Sequence, residues 1–125
     1  MEYLYVIIII LFLDFIYLST VKGYISKMIK NIQQHEMEIK YLPLVAIYIL
    51  MSFGLYYFII KPRKKVEDAF VLGILVYGIY ELTNYAIFKK WDLVMMLLDG
   101  LWGGILFALT AHITYKVIGV RNYNI

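Results

Sequence analysis

Four long apolar segments occupy most of this 125-residue chain and constrain its fold more than any other feature. They cover about residues 3–20, 41–60, 69–88 and 93–115, close to the roughly 20 residues that a helix needs to cross a bilayer. Hydrophobic residues make up 63% of the sequence, more than a soluble domain of this length can bury. The sequence therefore predicts an all-α integral membrane protein, a single membrane domain built as a bundle of four transmembrane helices.

The connections between these segments are short or polar. Within residues 21–40, four apolar side chains recur at helical spacing: Ile25, Met28, Ile29 and Ile32. This spacing predicts a short amphipathic helix at the membrane interface between helices 1 and 2, with a solvated loop as the alternative. Four spans place both termini on the same side of the membrane. The basic cluster over residues 61–65 favours the cytoplasm for that side.

Three carboxylic acids interrupt the apolar segments: Asp14, Glu81 and Asp99. A charged carboxylate at the centre of a bilayer costs roughly 2.5–3.5 kcal/mol, so such residues need partners or a function. At a rise of ~1.5 Å per residue, all three lie roughly 9–11 Å below the same membrane surface. Tyr48 of the second segment has the same depth. The sequence thus predicts a polar layer to which every helix contributes.

Aromatic and amide side chains accompany these acids at helical spacing. Tyr17 follows Asp14 by three residues, and Trp102 follows Asp99 by three residues. We predict a polar pocket walled by aromatic rings, with these candidate residues: Asp14, Tyr17, Tyr48, Tyr77, Glu81, Asn84, Asp99 and Trp102. In the alternative interpretation the acids are protonated hydrogen-bond donors that fasten the helices together, and the tyrosines are ordinary packing.

The charge of the acids needs a counterpart, since no Lys or Arg is predicted at their depth. Desolvation and mutual repulsion predict that at least one carboxyl is protonated near neutral pH, unless a cation lies among them. A metal ion, if one binds, would use Asp14, Glu81 and Asp99. The chain contains no cysteine, which excludes disulfides and thiolate metal sites, and the sequence identifies no cofactor.

Small and hydroxyl-bearing residues suggest how the helices pack. Gly100, Gly104 and Ala108 form a ridge that allows close approach of another helix, either within the bundle or in a homo-oligomer. Three threonines are predicted to hydrogen-bond to carbonyls of the preceding helical turn: Thr83, Thr110 and Thr114.

Three sequence motifs resemble a family of small predicted membrane proteins, domain of unknown function 2177. The family patterns are Leu-Asp-x-x-Trp-Leu, Tyr-Asp-Leu-Thr-Asn and Asp-x-x-Trp-Gly, which correspond here to residues 13–18, 80–84 and 99–103. Tyr17 stands in place of the expected Trp, and Glu81 in place of the expected Asp. The resemblance covers about residues 3–115 and implies the same four-helix architecture and site residues, without an established activity.

Three kinds of function fit these features. In the first, which we favour, the acids titrate or coordinate in the handling of small molecules, protons or cations. In the second, a membrane-embedded enzyme acts on a lipid or isoprenoid, with two carboxyls as general acid and base. The third is a structural or assembly subunit of a bacterial, organellar or viral membrane. No phosphate loop or nucleic-acid module is evident, so the expected partners are the lipid bilayer and further copies of the chain, not nucleic acid.

Overall fold

A computed structural model describes residues 2–33 and 41–119, and in these ranges the chain is helical without strands. The helices are α1 (Glu2–Gln33), α2 (Tyr41–Leu55, continued as a π-helical segment over Tyr56–Ile60), α3 (Val66–Ile87) and α4 (Leu93–Ile118). Each of the four is long and apolar enough to cross a membrane. The predicted all-α membrane protein with four candidate spans is therefore confirmed.

The first helix is longer than the predicted first span. α1 continues for 32 residues, so the helix predicted over residues 25–32 is present as an extension of α1 and not as a separate element. No proline interrupts this stretch, so the helix can continue past Thr20. The rest of the predicted polar connection, residues 34–40, lies outside the described residues.

One end of the bundle is fastened by the turn between α2 and α3. Arg63 adopts a left-handed backbone conformation with φ of 59°. Its guanidinium donates to both carboxylate oxygens of Glu2, at 2.8 and 2.7 Å, and to the carbonyl of Ile60 at 2.8 Å. The Tyr115 hydroxyl donates to the carbonyls of Ile59, at 3.1 Å, and Lys64. These bonds tie the start of α1 and the end of α4 to the same turn.

Helices α3 and α4 approach closely because glycines remove side chains from their interface. A Cβ built on Gly73 would overlap the carbonyl oxygen of Gly103 and lie 2.7 Å from its carbonyl carbon. The same Cβ would lie 2.9 Å from the Cα of Gly104. Here the two backbones are in contact.

The three residues of the predicted ridge have different surroundings within the chain. A Cβ on Gly104 would lie 2.8 Å from Ile74 of α3, so Gly104 does permit close packing. Gly100 does not pack within the bundle, since a Cβ there would meet no atom within 4 Å. Ala108 is only partly buried. The interface follows Gly103 and Gly104, which turns Gly100 toward a groove between the two helices.

The apolar core lies on one side of the predicted polar layer. Its members precede Asp14 on α1 and Glu81 on α3, and they follow Tyr48 on α2 and Asp99 on α4. They are Val6, Ile10, Leu55, Ile59, Ile60, Ala69, Leu106, Phe107, Ala111 and Tyr115. Because every helix contributes to this core, it holds the four helices in register below the acids.

The predicted backbone bonds of the threonines form at one of three positions. The Thr83 hydroxyl donates to the carbonyl of Ile79 at 2.7 Å. Thr110 and Thr114 are fully buried, but within the described part of the chain their hydroxyls have no hydrogen-bond partner. The predicted backbone bonds of Thr110 and Thr114 are therefore wrong.

Candidate functional site

Asp14 links three of the four helices. Its side chain lies on α1, is only 5% exposed, and accepts hydrogen bonds from both α2 and α4. Trp102 Nε1 donates to Oδ1 at 3.0 Å, and the Tyr48 hydroxyl donates to Oδ2. Each carboxylate oxygen thus has a neutral donor, which satisfies the hydrogen-bonding capacity that a buried carboxylate requires.

Glu81 of α3 and Asp99 of α4 form a second centre. Their carboxyl groups lie beside each other, and Glu81 is only 2% exposed. Trp91 Nε1 donates to Glu81 Oε2 at 3.1 Å, and the Tyr17 hydroxyl donates to Asp99 Oδ1 at 3.0 Å. Because an ionised carboxylate can only accept, two neighbouring carboxyls can hydrogen-bond to each other only if one of them carries a proton.

A stacked pair of rings joins the two centres. The rings of Tyr17 and Trp102 have centroids 4.6 Å apart and an interplanar angle of 6°. Tyr17 donates to Asp99, whereas Trp102 donates to Asp14, so the stack holds the two acidic centres side by side. We call the resulting set the carboxyl network: Asp14, Tyr17, Tyr48, Glu81, Trp91, Asp99 and Trp102.

The carboxyl network includes six of the eight predicted pocket residues. The other two, Tyr77 and Asn84, have different surroundings. Tyr77 packs against Gly103 and makes an edge-to-face contact with Phe107, with ring centroids 6.4 Å apart. The Asn84 side chain hydrogen-bonds to the Tyr80 hydroxyl on its own helix.

Trp91 belongs to the site but is not among the eight residues predicted from the sequence. The turn between α3 and α4 is short, and it returns Trp91 toward Glu81 ten residues earlier in the chain. Trp91 also stacks on Phe88, with centroids 5.9 Å apart. The signal available in the sequence was the short turn itself, which keeps an indole within reach of the last two turns of α3.

Asp92 sets where α4 begins and hence the depth of Asp99. Its Oδ1 accepts the backbone N–H groups of Val94 and Met95 at 2.8 and 3.2 Å, as a helix N-cap does. Its Oδ2 accepts the hydroxyl of Tyr24, which connects the extension of α1 to this turn. The Tyr24 bond, followed by the two backbone bonds, holds the pKa of Asp92 below its ordinary value against desolvation.

Replacing Asp92 by alanine should therefore lower the thermal midpoint of unfolding in detergent by a few degrees at neutral pH. A carboxylate with a depressed pKa stabilises the fold above its unfolded pKa of about 3.9 and stops doing so as pH falls through the folded value. The difference between parent and Asp92→Ala should consequently shrink below about pH 4. Tyr24→Phe, which removes only one of the three donors, should have a smaller effect. A difference that does not change with pH would contradict the charged cap.

A joint metal site of the three acids does not fit this geometry. Among residues 2–33 and 41–119, no three His, Cys, Asp or Glu side chains are grouped to hold a metal ion. Asp14 is engaged by Tyr48 and Trp102, whereas Glu81 and Asp99 are engaged by each other. The partners of these acids within the described residues are hydroxyls, indole N–H groups and another carboxyl, none of which is positively charged.

An apolar opening lies beside the network. A cavity of about 280 Å³ is lined by residues of α2 and α3: Ile47, Met51, Val76, Tyr77 and Tyr80. Ile47, Val76 and Tyr80 are exposed, so in a membrane this cavity faces lipid.

Comparison with known proteins identifies a family. The family model described as "Predicted membrane protein (DUF2177)" matches residues 1–116, which include the whole carboxyl network. No curated protein and no solved structure matches the chain.

Proposed function

The chain belongs to the DUF2177 family of predicted membrane proteins, and on that premise we propose that it is a proton-handling membrane protein. Its functional centre is the Glu81–Asp99 carboxyl pair. Intramembrane acids mark ion and proton pathways unless they are needed only to fasten helices. The observation that carries this proposal is the close approach of the buried Glu81 carboxyl and the partly buried Asp99 carboxyl, which have no positively charged partner among the described residues.

The pair and Asp14 play different parts in this proposal. Glu81 and Asp99 together hold one proton, while Trp91 and Tyr17 each donate to one of them and fix their orientation. Asp14 accepts hydrogen bonds from two neutral donors, Tyr48 and Trp102, and lies outside the pair. A pair that shares one proton can release it and take it up again without a metal ion.

Proton flux into vesicles tests this function. Purified protein is reconstituted with an internal pH-sensitive dye, and a potassium diffusion potential drives protons inward. We expect acidification faster than in protein-free vesicles, and a loss of about tenfold or more in Glu81→Gln and Asp99→Asn, which remove the exchangeable proton but keep the shape. Glu67→Gln is the matched control, because the Glu67 side chain is 83% exposed and lies outside the network.

Two results would overturn the proposal. One is a parent protein that moves protons no faster than empty vesicles. The other is a Glu81→Gln variant that folds and conducts as the parent does. Because four helices leave little room for alternating access within one chain, we propose that the carrier is a homo-oligomer in the bilayer.

A second candidate function rests on the cavity between α2 and α3. An apolar space of about 280 Å³ that faces lipid and is lined by Tyr77 would admit part of an acyl or isoprenoid chain. The protein would then be a membrane enzyme, with Glu81 and Asp99 as acid and base. Val76→Trp, which narrows this cavity, distinguishes the two functions. It should abolish an expression-dependent change in cellular lipids if the protein is an enzyme, and leave proton flux intact if it is a carrier.

A further inference from the structure

A row of side chains runs along α2 to the turn that follows it. Phe53 and Tyr57 have ring centroids 5.7 Å apart and an interplanar angle of 22°. The Lys61 ammonium lies 5.4 Å from the centroid of the Tyr57 ring, at the distance of a cation–π contact. Phe58 meets the Tyr57 ring edge-on, with centroids 5.1 Å apart. The row therefore passes from an aromatic surface to a positive charge within roughly two helical turns.

The end of this row lies where α2 leaves the apolar part of the membrane. The candidate span that contains Phe53 and Tyr57 ends at Ile60, and Lys61 follows it directly. The rings are exposed: Phe53 by 51%, Tyr57 by 48% and Phe58 by 59%. Aromatic residues and lysines at the end of a span are typical of the interface between the hydrocarbon and the headgroups. The rings therefore face lipid, and Lys61 lies at the level of the headgroups.

Two positive charges of the turn between α2 and α3 have no carboxylate beside them. The other two basic residues of this turn form ion pairs: Arg63 with Glu2 at 2.7 Å, and Lys65 with Glu67 at 3.8 Å. Lys61 and Lys64 are exposed. Among the described residues no carboxylate, including Asp68 in the first turn of α3, has an oxygen within 4 Å of either ammonium group. These two ammonium groups complement an anion.

Backbone bonds hold the turn in place, so the two lysines extend from fixed positions. The Tyr115 hydroxyl of α4 donates to the carbonyls of Ile59 and Lys64. The Lys64 N–H donates to the carbonyl of Ile59 at 2.8 Å, and the Lys61 N–H donates to the carbonyl of Tyr56 at 2.8 Å. A backbone that is already ordered loses little conformational freedom when a ligand binds, which favours affinity.

The exposed rings beside the lysines indicate which class of anion fits. A soluble anion would contact the two ammonium groups alone, whereas an anionic phospholipid would also cover the rings with its acyl chains. We propose that Lys61 and Lys64 bind the phosphate headgroup of an anionic phospholipid, with its chains along Phe53, Tyr57 and Phe58. The site shares no residue with the carboxyl network, and it does not depend on the proton function proposed above.

Native mass spectrometry in mild detergent tests this site, with phosphatidylglycerol and phosphatidylcholine as the probes. We expect the parent to bind phosphatidylglycerol more tightly than phosphatidylcholine. In Lys61→Ala/Lys64→Ala, phosphatidylglycerol should bind about 30-fold more weakly, since each lysine near an anionic lipid contributes about fivefold. Binding of phosphatidylcholine should change little. Lys22→Ala/Lys27→Ala is the matched control, because it removes two exposed lysines from the far end of α1 and should keep the affinity for phosphatidylglycerol.

A conservative variant and a competitor complete the experiment. Lys61→Arg/Lys64→Arg keeps both charges and should keep most of the affinity for phosphatidylglycerol. Inorganic phosphate, added as a competitor, should not displace the lipid. Equal affinity of the parent and Lys61→Ala/Lys64→Ala for phosphatidylglycerol would overturn the site. Efficient displacement by inorganic phosphate would overturn its assignment to a lipid.

Discussion

Gly73→Ala should destabilise the protein by more than about 2 kcal/mol, although alanine is normally the better residue in a helix. The added Cβ would overlap the carbonyl oxygen of Gly103 and crowd the Cα of Gly104. Because both contacts are with backbone, no side-chain rotation relieves them and α3 must move away from α4. That movement would also separate Glu81 of α3 from Asp99 of α4. We expect a lower midpoint of unfolding in a denaturing-detergent titration, together with weaker proton flux.

Gly78→Ala is the matched control on the same helix. A Cβ at Gly78 would meet no atom within 4 Å, so alanine there should be neutral or stabilise the helix by up to about 1 kcal/mol. Gly103→Ala should also destabilise the protein, since its Cβ would lie 2.3 Å from the Cγ and 2.5 Å from the Cβ of Tyr77, which are held close to the backbone of α3. Equal stability of Gly73→Ala and Gly78→Ala would show that the two helix backbones are not in contact.

Much of the architecture could be predicted because the thickness of the membrane sets the length of each spanning helix. Each apolar segment had to be helical and about 20 residues long, and the fixed rise per residue then gave the depth of every polar side chain. The layer that contains Asp14, Tyr48, Glu81 and Asp99 follows from this depth alone. In the structure Tyr48 donates to Asp14, Glu81 lies beside Asp99, and Tyr17 donates to Asp99.

The rotation of each helix about its own axis, which decides the residues that face a neighbouring helix, could not be predicted in the same way. Gly103 and Gly104, with Gly73, form the close contact, whereas the predicted Gly100 faces a groove. A stripe of small residues is compatible with several rotations, and the neighbouring helix selects one. Asn84 follows Glu81 at helical spacing and was predicted to join the pocket for that reason. In the structure its side chain pairs with Tyr80 instead.

The Glu81–Asp99 pair should hold one proton at neutral pH. Removal of this proton by substitution of either residue is the second large effect that we expect. Two unit charges about 4 Å apart repel by about 4 kcal/mol at an effective dielectric constant of 20. This repulsion equals roughly three pH units, before the cost of removing both charges from water is added. No lysine or arginine in the described chain contacts either carboxyl to offset it. The proton is therefore part of the structure as well as of the proposed function.

A second series of substitutions tests the proton shared by Glu81 and Asp99. Asp99→Asn and Glu81→Gln each replace the shared proton by amide hydrogens, so the variants should fold while the exchangeable proton disappears. Asp14→Asn is the matched control, because Asp14 accepts from Tyr48 and Trp102 and does not belong to the pair. It should leave the proton of the pair in place.

Infrared spectroscopy of the protein in detergent tests the shared proton most directly, because a protonated carboxyl absorbs apart from ionised carboxylates and shifts in heavy water. At neutral pH we expect one protonated carboxyl in the parent and in Asp14→Asn, and none in the Glu81→Gln/Asp99→Asn variant. A parent spectrum without a protonated carboxyl, or a band that survives in the double variant, would contradict the account.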